Sequence, residues 1–205
     1  MCSIIERVKG EMTGRMCDFH GNVRQLLYII EKAGDGNYLE IGVLHGGTLC
    51  AVGLWKQALG HASMCYGIDP LNGYYKDADS GVNFGKSVDP ESKVPVALEI
   101  VEQNIKTFGL DGRCKVIRAK SNPLPDEVAG VNFVVAYIDG DHWGEQPYTD
   151  FINVKDITTG FIVFDDHDEK HPSVIEASMK ACNDPDWEQY SISGITSILR
   201  RRSHV

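Results

Sequence analysis

Residues 38–47 read YLEIGVLHGG. The stretch NYLEI (37–41) is strand-like, and it runs into a turn carrying Gly42, Gly46 and Gly47 before a helical apolar pattern resumes over 47–59, with Thr48 near its start. A strand that breaks on glycines into a helix opens an α/β unit. Working outward, HGNVRQLLYIIEKA (20–33) places Val23, Leu26, Leu27 and Ile30 at helical spacing, and the GDG at 34–36 stops that helix. Further strands are predicted at SMCYGID (63–69), RCKVIRA (113–119), VNFVVAYID (131–139) and GFIVFDD (160–166). Helical patterns lie between them at 94–110 and 145–157, and after them at 172–182. WEQYSI and GITSILR, joined at Ser193–Gly194, read as a closing antiparallel hairpin. The expected fold is therefore α/β, a doubly wound, mostly parallel seven-stranded sheet with a C-terminal antiparallel hairpin.

One domain over 1–205 is expected. Hydrophobic residues make up 42% and charged residues 24%, with 20 Lys and Arg against 29 Asp and Glu for a net charge of −9. That balance argues against a broad nucleic-acid surface. The RRR at 200–202 is a small basic patch on a predicted terminal strand. No apolar run long enough to cross a bilayer occurs, so no membrane partner is expected. No signal peptide is read before the first strand. The six cysteines, at 2, 17, 50, 65, 114 and 182, form no CxxC pair and read as free thiols of a reducing, cytoplasmic setting. Residues 70–94 have no clear period and are expected to be a substrate lid or insertion loop, with Tyr74 and Tyr75 either stacking on a substrate ring or packing the loop down.

In a parallel sheet of this kind, ligands sit beyond the C-terminal strand ends. The predicted strands bring Glu40, Asp69, Asp139 and the Asp165–Asp166 pair to that edge. The turn spacing is G-x-x-x-G-G, neither the dinucleotide G-x-G-x-x-G nor a Walker loop. Glu40 beside the turn would repel a pyrophosphate and suits a cationic group. Asp69, at the end of the second strand, can take both hydroxyls of a ribose. A nucleoside with a positive group and no pyrophosphate is implied, and S-adenosylmethionine fits that description. A tight strand–helix turn with two acids beside it is the alternative.

IDGDHW (138–143) and FDDHDEKH (164–171) follow strands one crossover apart, which sets Asp139 beside Asp165 and Asp166. Three packed carboxylates raise one another's pKa, and a divalent cation removes the conflict. An all-oxygen set suits magnesium, calcium or manganese; zinc is disfavoured although His142, His167 and His171 are near in sequence. Such a cation can bind two neighbouring substrate oxygens and lower the pKa of one. Asp141 and His142 are alternative bases for that proton. An acidic rim whose aspartates cap helices is the competing reading.

The stretches YLEIGVLHGGT, YGIDP, YIDGDHWGEQPYTDF and GFIVFDDHDEKHPSV resemble the class I S-adenosylmethionine-dependent methyltransferases. More narrowly they are similar to the metal-dependent O-methyltransferase branch that includes macrocin-type sugar O-methyltransferases and relatives of cephalosporin hydroxylase. The likeness runs from about residue 20 to 182. It implies that Glu40, Gly42 and the turn of His45, Gly46 and Gly47 surround the methionine part of the cofactor, with Thr48 beside them, and that Asp69 holds the ribose. It implies Asp139, Asp165 and Asp166 as magnesium ligands (calcium or manganese being the alternatives), with Asp139 also bordering the cofactor. Ser121 and Asn122, after the third strand, approach the adenine or cap the loop. Catechol-type relatives carry lysine where this chain has His142, which disfavours a catechol enzyme, and some sugar-modifying relatives use an acid at the place of Asp141 as base. Cover for the site is expected from residues 70–94 and the first 20. Trp143 either covers the substrate or anchors the next helix. The implied reaction is transfer of a methyl group to a hydroxyl of a small polyhydroxylated molecule, a sugar or an aromatic vicinal diol, with homo-oligomer formation left open. A nicotinamide-dependent oxidoreductase, or a non-catalytic or hydroxylase-like relative, is the rival.

Overall fold

Seven strands form one sheet in the order β3-β2-β1-β4-β5-β7-β6 in the computed structural model, which describes residues 1–73 and 88–203. The strands are β1 (Asn37–Ile41), β2 (Cys65–Asp69), β3 (Cys114–Arg118), β4 (Phe133–Ile138), β5 (Thr158–Phe164), β6 (Trp187–Ser193) and β7 (Thr196–Arg201). The first five are parallel; β7 joins β5 antiparallel and pairs with β6 as a hairpin. The predicted doubly wound sheet and its closing hairpin are both present. The chain reverses its direction of winding between β1 and β4, which makes that crevice the switch point of the sheet.

The helices are α1 (Cys2–Glu11), α2 (Asn22–Ala33), α3 (Gly47–Ala58), α4 (Leu98–Thr107), α5 (Asp126–Ala129), α6 (Gln146–Val154) and α7 (Pro172–Ala181). Residues alternate between the two faces of each inner strand. Tyr38, Val135, Tyr137 and Val163 pack with Val23, Leu26, Leu49 and Val101 under α2, α3 and α4. Leu39, Ile41, Ala136, Ile138 and Ile162 face the other way, onto Phe151, Val174 and Ala177 of α6 and α7. Each such side chain, wholly removed from water, contributes roughly 1.5–3 kcal/mol.

Two elements are additional to the sequence reading. The stretch before residue 12, expected as cover, instead begins with α1, whose Ile5 and Val8 are buried in the α2–α3 core. The single turn α5 inserts Val128 on the other face. The basic triplet is not a free patch. Arg200 pairs with Glu188, Arg201 donates to the Thr158 carbonyl at 2.8 Å, and Arg202 donates to the Trp187 carbonyl at 3.0 Å. All six cysteines are free, and Cys50, Cys65 and Cys114 are buried. Among the described residues no helix is long and apolar enough to cross a membrane.

Candidate active site

The ladder continues one residue past the strands and sets the site. Gly42 N–H donates to the Ile68 carbonyl at 2.9 Å, Asp139 N–H to Ile41 at 2.9 Å, and Asp165 N–H to Ile138 at 3.0 Å. Gly42, Asp69, Asp139 and Asp165 therefore end level on adjacent strands. The sequence reading brought Glu40, Asp69, Asp139 and the Asp165–Asp166 pair to one edge, and of these Asp69, Asp139 and Asp165 end level there.

The glycine turn is shaped by close packing. Gly42 has φ +88°, and a Cβ there would lie 2.0 Å from the Asp139 carbonyl oxygen. Gly46, the residue before α3, has φ +80°. A side chain on Gly47 would collide with Met16, which lies over the start of the helix. Asp69 Oδ2 accepts the N–H groups of Val43 (2.8 Å) and Leu44 (3.1 Å), while Oδ1 accepts that of Leu71 (2.8 Å). The acid at the end of β2 thus holds the turn at the end of β1. A carboxylate has about four acceptor positions, so this bonding leaves capacity for a ligand. His45 is buried. Its Nδ1 accepts Arg15 N–H at 3.3 Å, its Nε2 lies 3.4 Å from the Val94 carbonyl, and its own carbonyl accepts Asn104 Nδ2 at 2.8 Å. Its ring is committed to the N-terminal segment and to residue 94. Thr48 is buried in the first turn of α3.

Glu40 lies on β1 in the protein interior and accepts the Tyr38 hydroxyl at 2.8 Å. Burial, against the Tyr38 bond, holds its carboxyl well above the usual range, and Asp139 and Asp69 push the same way. A cationic ligand relieves all three acids, whereas a pyrophosphate would add to the repulsion. The charge pattern therefore fits a sulfonium nucleoside.

At the adjoining edge, burial pushes Asp139 up to about 6, partly opposed by His142 and reinforced by Asp166 and Asp69. Asp165 is buried and raised well above the usual range by burial and by Asp139. Its Oδ2 accepts the Asn22 amide at 2.7 Å, while Oδ1 is buried with no hydrogen bond among the described residues. An orphaned buried carboxylate oxygen beside two further acids fits a divalent cation. The imidazole of His142 lies between the acids, with Nε2 3.4 Å from Asp139 Oδ1 and Nδ1 3.5 Å from Asp166 Oδ2. Burial disfavours its charged form, but Asp139, Asp166 and Asp165 outweigh that and raise it to about 9. Asp141 is exposed at the rim, where its Oδ1 accepts Trp143 N–H at 3.2 Å. The Trp143 ring lies 6.0 Å from that of His171. Cys17 sits near this edge, and burial followed by Asp139 pushes its thiol up to about 12, so it supplies no thiolate.

Ser121 donates to Asp150 Oδ1 at 2.6 Å, and Gln146 Nε2 reaches the same oxygen at 2.9 Å. Burial pushes Asp150 up to about 6. Gln146 and Asp150 are one helical turn apart, a spacing that could have drawn notice. Asn22 carried no such signal, because its partner is far away in the chain. Tyr74 and Tyr75 lie outside the described residues, as does most of the expected lid. Its described flanks form bridges between Asn72 and Ala97 and between Val88 and Pro95.

Residues 39–167, more than half of the chain, match the family profile described as a methyltransferase domain. No curated protein matches the chain in sequence. Among solved structures, the O-methyltransferase NovP superposes with a TM-score of 0.67 at 20% identity, over 97% of this chain and 88% of that one. An O-methyltransferase from Bacillus cereus gives 0.64 at 13% identity, over 98% and 91%. CalS11, a TDP-rhamnose 3'-O-methyltransferase of calicheamicin biosynthesis, gives 0.64 at 13%, over 97% and 93%. At these identities the likeness is one of fold.

Proposed function

From the premise that the chain belongs to the methyltransferase domain family and is an S-adenosylmethionine-dependent methyltransferase, we propose that it methylates a hydroxyl oxygen of a small polyhydroxylated molecule with the help of a divalent cation. The acceptor is a sugar or an aromatic vicinal diol, and the branch is the metal-dependent one that includes macrocin-type sugar O-methyltransferases and relatives of cephalosporin hydroxylase. The observation that carries this reading is that Asp69, Asp139 and Asp165 end level on adjacent strands, with His142 between the carboxylates of Asp139 and Asp166.

S-adenosylmethionine supplies a methyl group already activated on a sulfonium, and a divalent cation supplies polarisation of neighbouring substrate oxygens. The rest of the work falls to the chain. Asp69 takes the ribose hydroxyls while holding Val43 and Leu44. Glu40 lies buried behind the turn, where a cationic ligand would favour its charged form. Gly42, Gly46 and Gly47 keep the backbone close, and Thr48 borders the start of α3. Ser121, whose hydroxyl donates to Asp150, is assigned to the adenine side, and residues 12–20 with 88–94 are assigned to closing the site. Asp139, Asp165 and Asp166 hold the cation. The ring nitrogens of His142 lie 3.4 Å from Asp139 Oδ1 and 3.5 Å from Asp166 Oδ2. Asp141, exposed at the rim, is the better placed group to take the substrate proton. Methyl transfer is a direct displacement, so alignment and exclusion of water do the remaining work.

The test is methyl transfer from labelled cofactor to a panel of sugars and catechols. Activity that dies with chelator and returns with a divalent cation supports the reading. Chelator-resistant activity would remove the cation from it, and transfer to nitrogen acceptors alone would remove the oxygen chemistry.

A further inference from the structure

We propose that the cation site is a mixed nitrogen–oxygen site, in which His142 and His171 join Asp166 as ligands, and that it selects a first-row transition-metal ion of the iron-to-zinc type over magnesium. The inference rests on the reading that this acidic edge holds a cation, and it changes which cation that is.

His142, Asp166 and His171 each offer a donor atom within 4.8 Å of the other two. They come from three separate places: the loop after β4, the residue pair after β5, and the position preceding α7. Metal–nitrogen and metal–oxygen bonds of about 2.0–2.2 Å hold neighbouring donors roughly 3–3.6 Å apart, so a closure of about 1–2 Å completes the set. The two imidazole rings stand edge to face with centroids 5.0 Å apart.

The hydrogen bonding agrees with that use of the rings. His142 Nε2 is buried and makes no hydrogen bond among the described residues, although Asp139 Oδ1 is 3.4 Å away. A buried ring nitrogen left in this state is costly. A bound ion allows the ring to turn one nitrogen to the metal and the other to a carboxylate. His171 is already arranged in this way. Its Nδ1 lies 2.9 Å from Asp168 Oδ1, so with Nδ1 protonated its Nε2 carries the lone pair. A carboxylate behind an imidazole is the usual support of a histidine metal ligand, fixing its tautomer and orientation.

Donor chemistry then sets the preference. Magnesium demands near-octahedral oxygen ligation and sheds water reluctantly. Imidazole suits iron, nickel, copper and zinc, and it adds little for magnesium. The sequence reading favoured an all-oxygen set because it expected Asp139, Asp165 and Asp166 to pack together, and it disfavoured zinc although the histidines are near in the chain. The fold places two of them against Asp166.

The experiment is direct binding to the whole, chelator-stripped protein, with no turnover involved. Co2+ and Mg2+ are titrated separately by calorimetry, and Co2+ also by its visible absorption, which reports nitrogen ligation and coordination number. Expected results are Co2+ affinity at least about tenfold above that for Mg2+, and a loss of about 10–100-fold in Co2+ affinity with a changed spectrum in His171→Ala and in His171→Gln. Asp168→Asn, which alters only the support of His171, should give a smaller loss in the same direction. Circular dichroism establishes that each variant is folded. Equal affinities for the two ions, or a Co2+ spectrum untouched by both His171 variants, overturns the proposal. If metal binding ignores His171 but is lost in Asp165→Ala, the carboxylate site stands and only the imidazole assignment falls. Absence of binding by either ion removes both.

Discussion

The Cα of Gly42 approaches the backbone of Asp139 so closely that a methyl group added to it would lie 2.0 Å from the Asp139 carbonyl oxygen. β1 and β4 therefore meet with no room for any side chain, at the switch point of the sheet. Gly42→Ala adds that clash to the strain of φ +88°. The expected loss is at least about 2 kcal/mol, measured by urea unfolding. A variant within experimental error of wild type would show that the two strand ends do not meet as described.

How much of this was legible beforehand differs by level. The parallel sheet was readable because β1, β2, β4 and β5 each combine a short apolar run with a terminal acid, and strand pairing fixes where those acids go. Helix α1 was not, because its core-facing residues amount to little more than Ile5 and Val8 and no side chain caps its start. Asp69, Asp139 and Asp165 were readable as residues of one sheet edge, because each follows or ends a short apolar strand. The particular neighbours of the turn glycines were not readable: Gly42 gives way to Asp139, and Gly47 to Met16. Asn22 against Asp165 and Asn104 against His45 are contacts between distant segments, and no local spacing encodes them.

Asp165 separates cation binding from cofactor binding. It sits one strand beyond Asp139, away from Asp69 in the sheet order. Asp165→Ala should lower cation-dependent turnover by more than about a hundredfold. Affinity for S-adenosylhomocysteine, measured by calorimetry, should stay close to wild type. Near-wild-type turnover would count against the proposed mechanism.

Asp69 has the opposite profile. Its carboxylate holds Val43 and Leu44 and is proposed to take the ribose as well. Losing charge-assisted hydrogen bonds costs about 1.5–3 kcal/mol, so Asp69→Ala should weaken S-adenosylhomocysteine about 10- to 150-fold. Cation affinity measured in the same preparation should change little. Equal loss of both would mean that the whole edge has collapsed, and unchanged cofactor affinity would remove Asp69 from the ribose site.

Acid should loosen the N-terminal segment through Asp89. Burial opposes its charge, but bonds from Ser92 N–H (2.8 Å) and Oγ (2.6 Å) and from Arg15 Nε (3.0 Å) win, holding it down at about 2. The folded pKa lies below the unfolded value of about 3.9. This contribution is therefore fully present above about pH 4 and is lost as pH falls through 2, with a ceiling of about 2 kcal/mol. Unfolding free energies taken between pH 5 and pH 2 should fall less steeply in Asp89→Asn than in wild type. Parallel slopes would remove Asp89 from the pH response.

Asn104 tests whether the segment after α1 is a fixed part of the site or an appendage. Its side chain is fully buried on α4 and makes three bonds of 2.8 Å: Oδ1 accepts Thr13 N–H, and Nδ2 donates to the carbonyls of Thr13 and His45. One amide thus ties the N-terminal segment to the glycine turn, and alanine leaves three backbone groups without it. The expected cost of Asn104→Ala is about 2–3 kcal/mol, since each stranded buried group carries a penalty of about 1–3 kcal/mol and water reaches part of the gap. If residues 12–20 close over the cofactor, the same variant should also weaken S-adenosylhomocysteine and speed proteolysis between α1 and α2. Destabilisation with unchanged cofactor affinity would make Asn104 a structural tie and take the N-terminal segment out of the binding site.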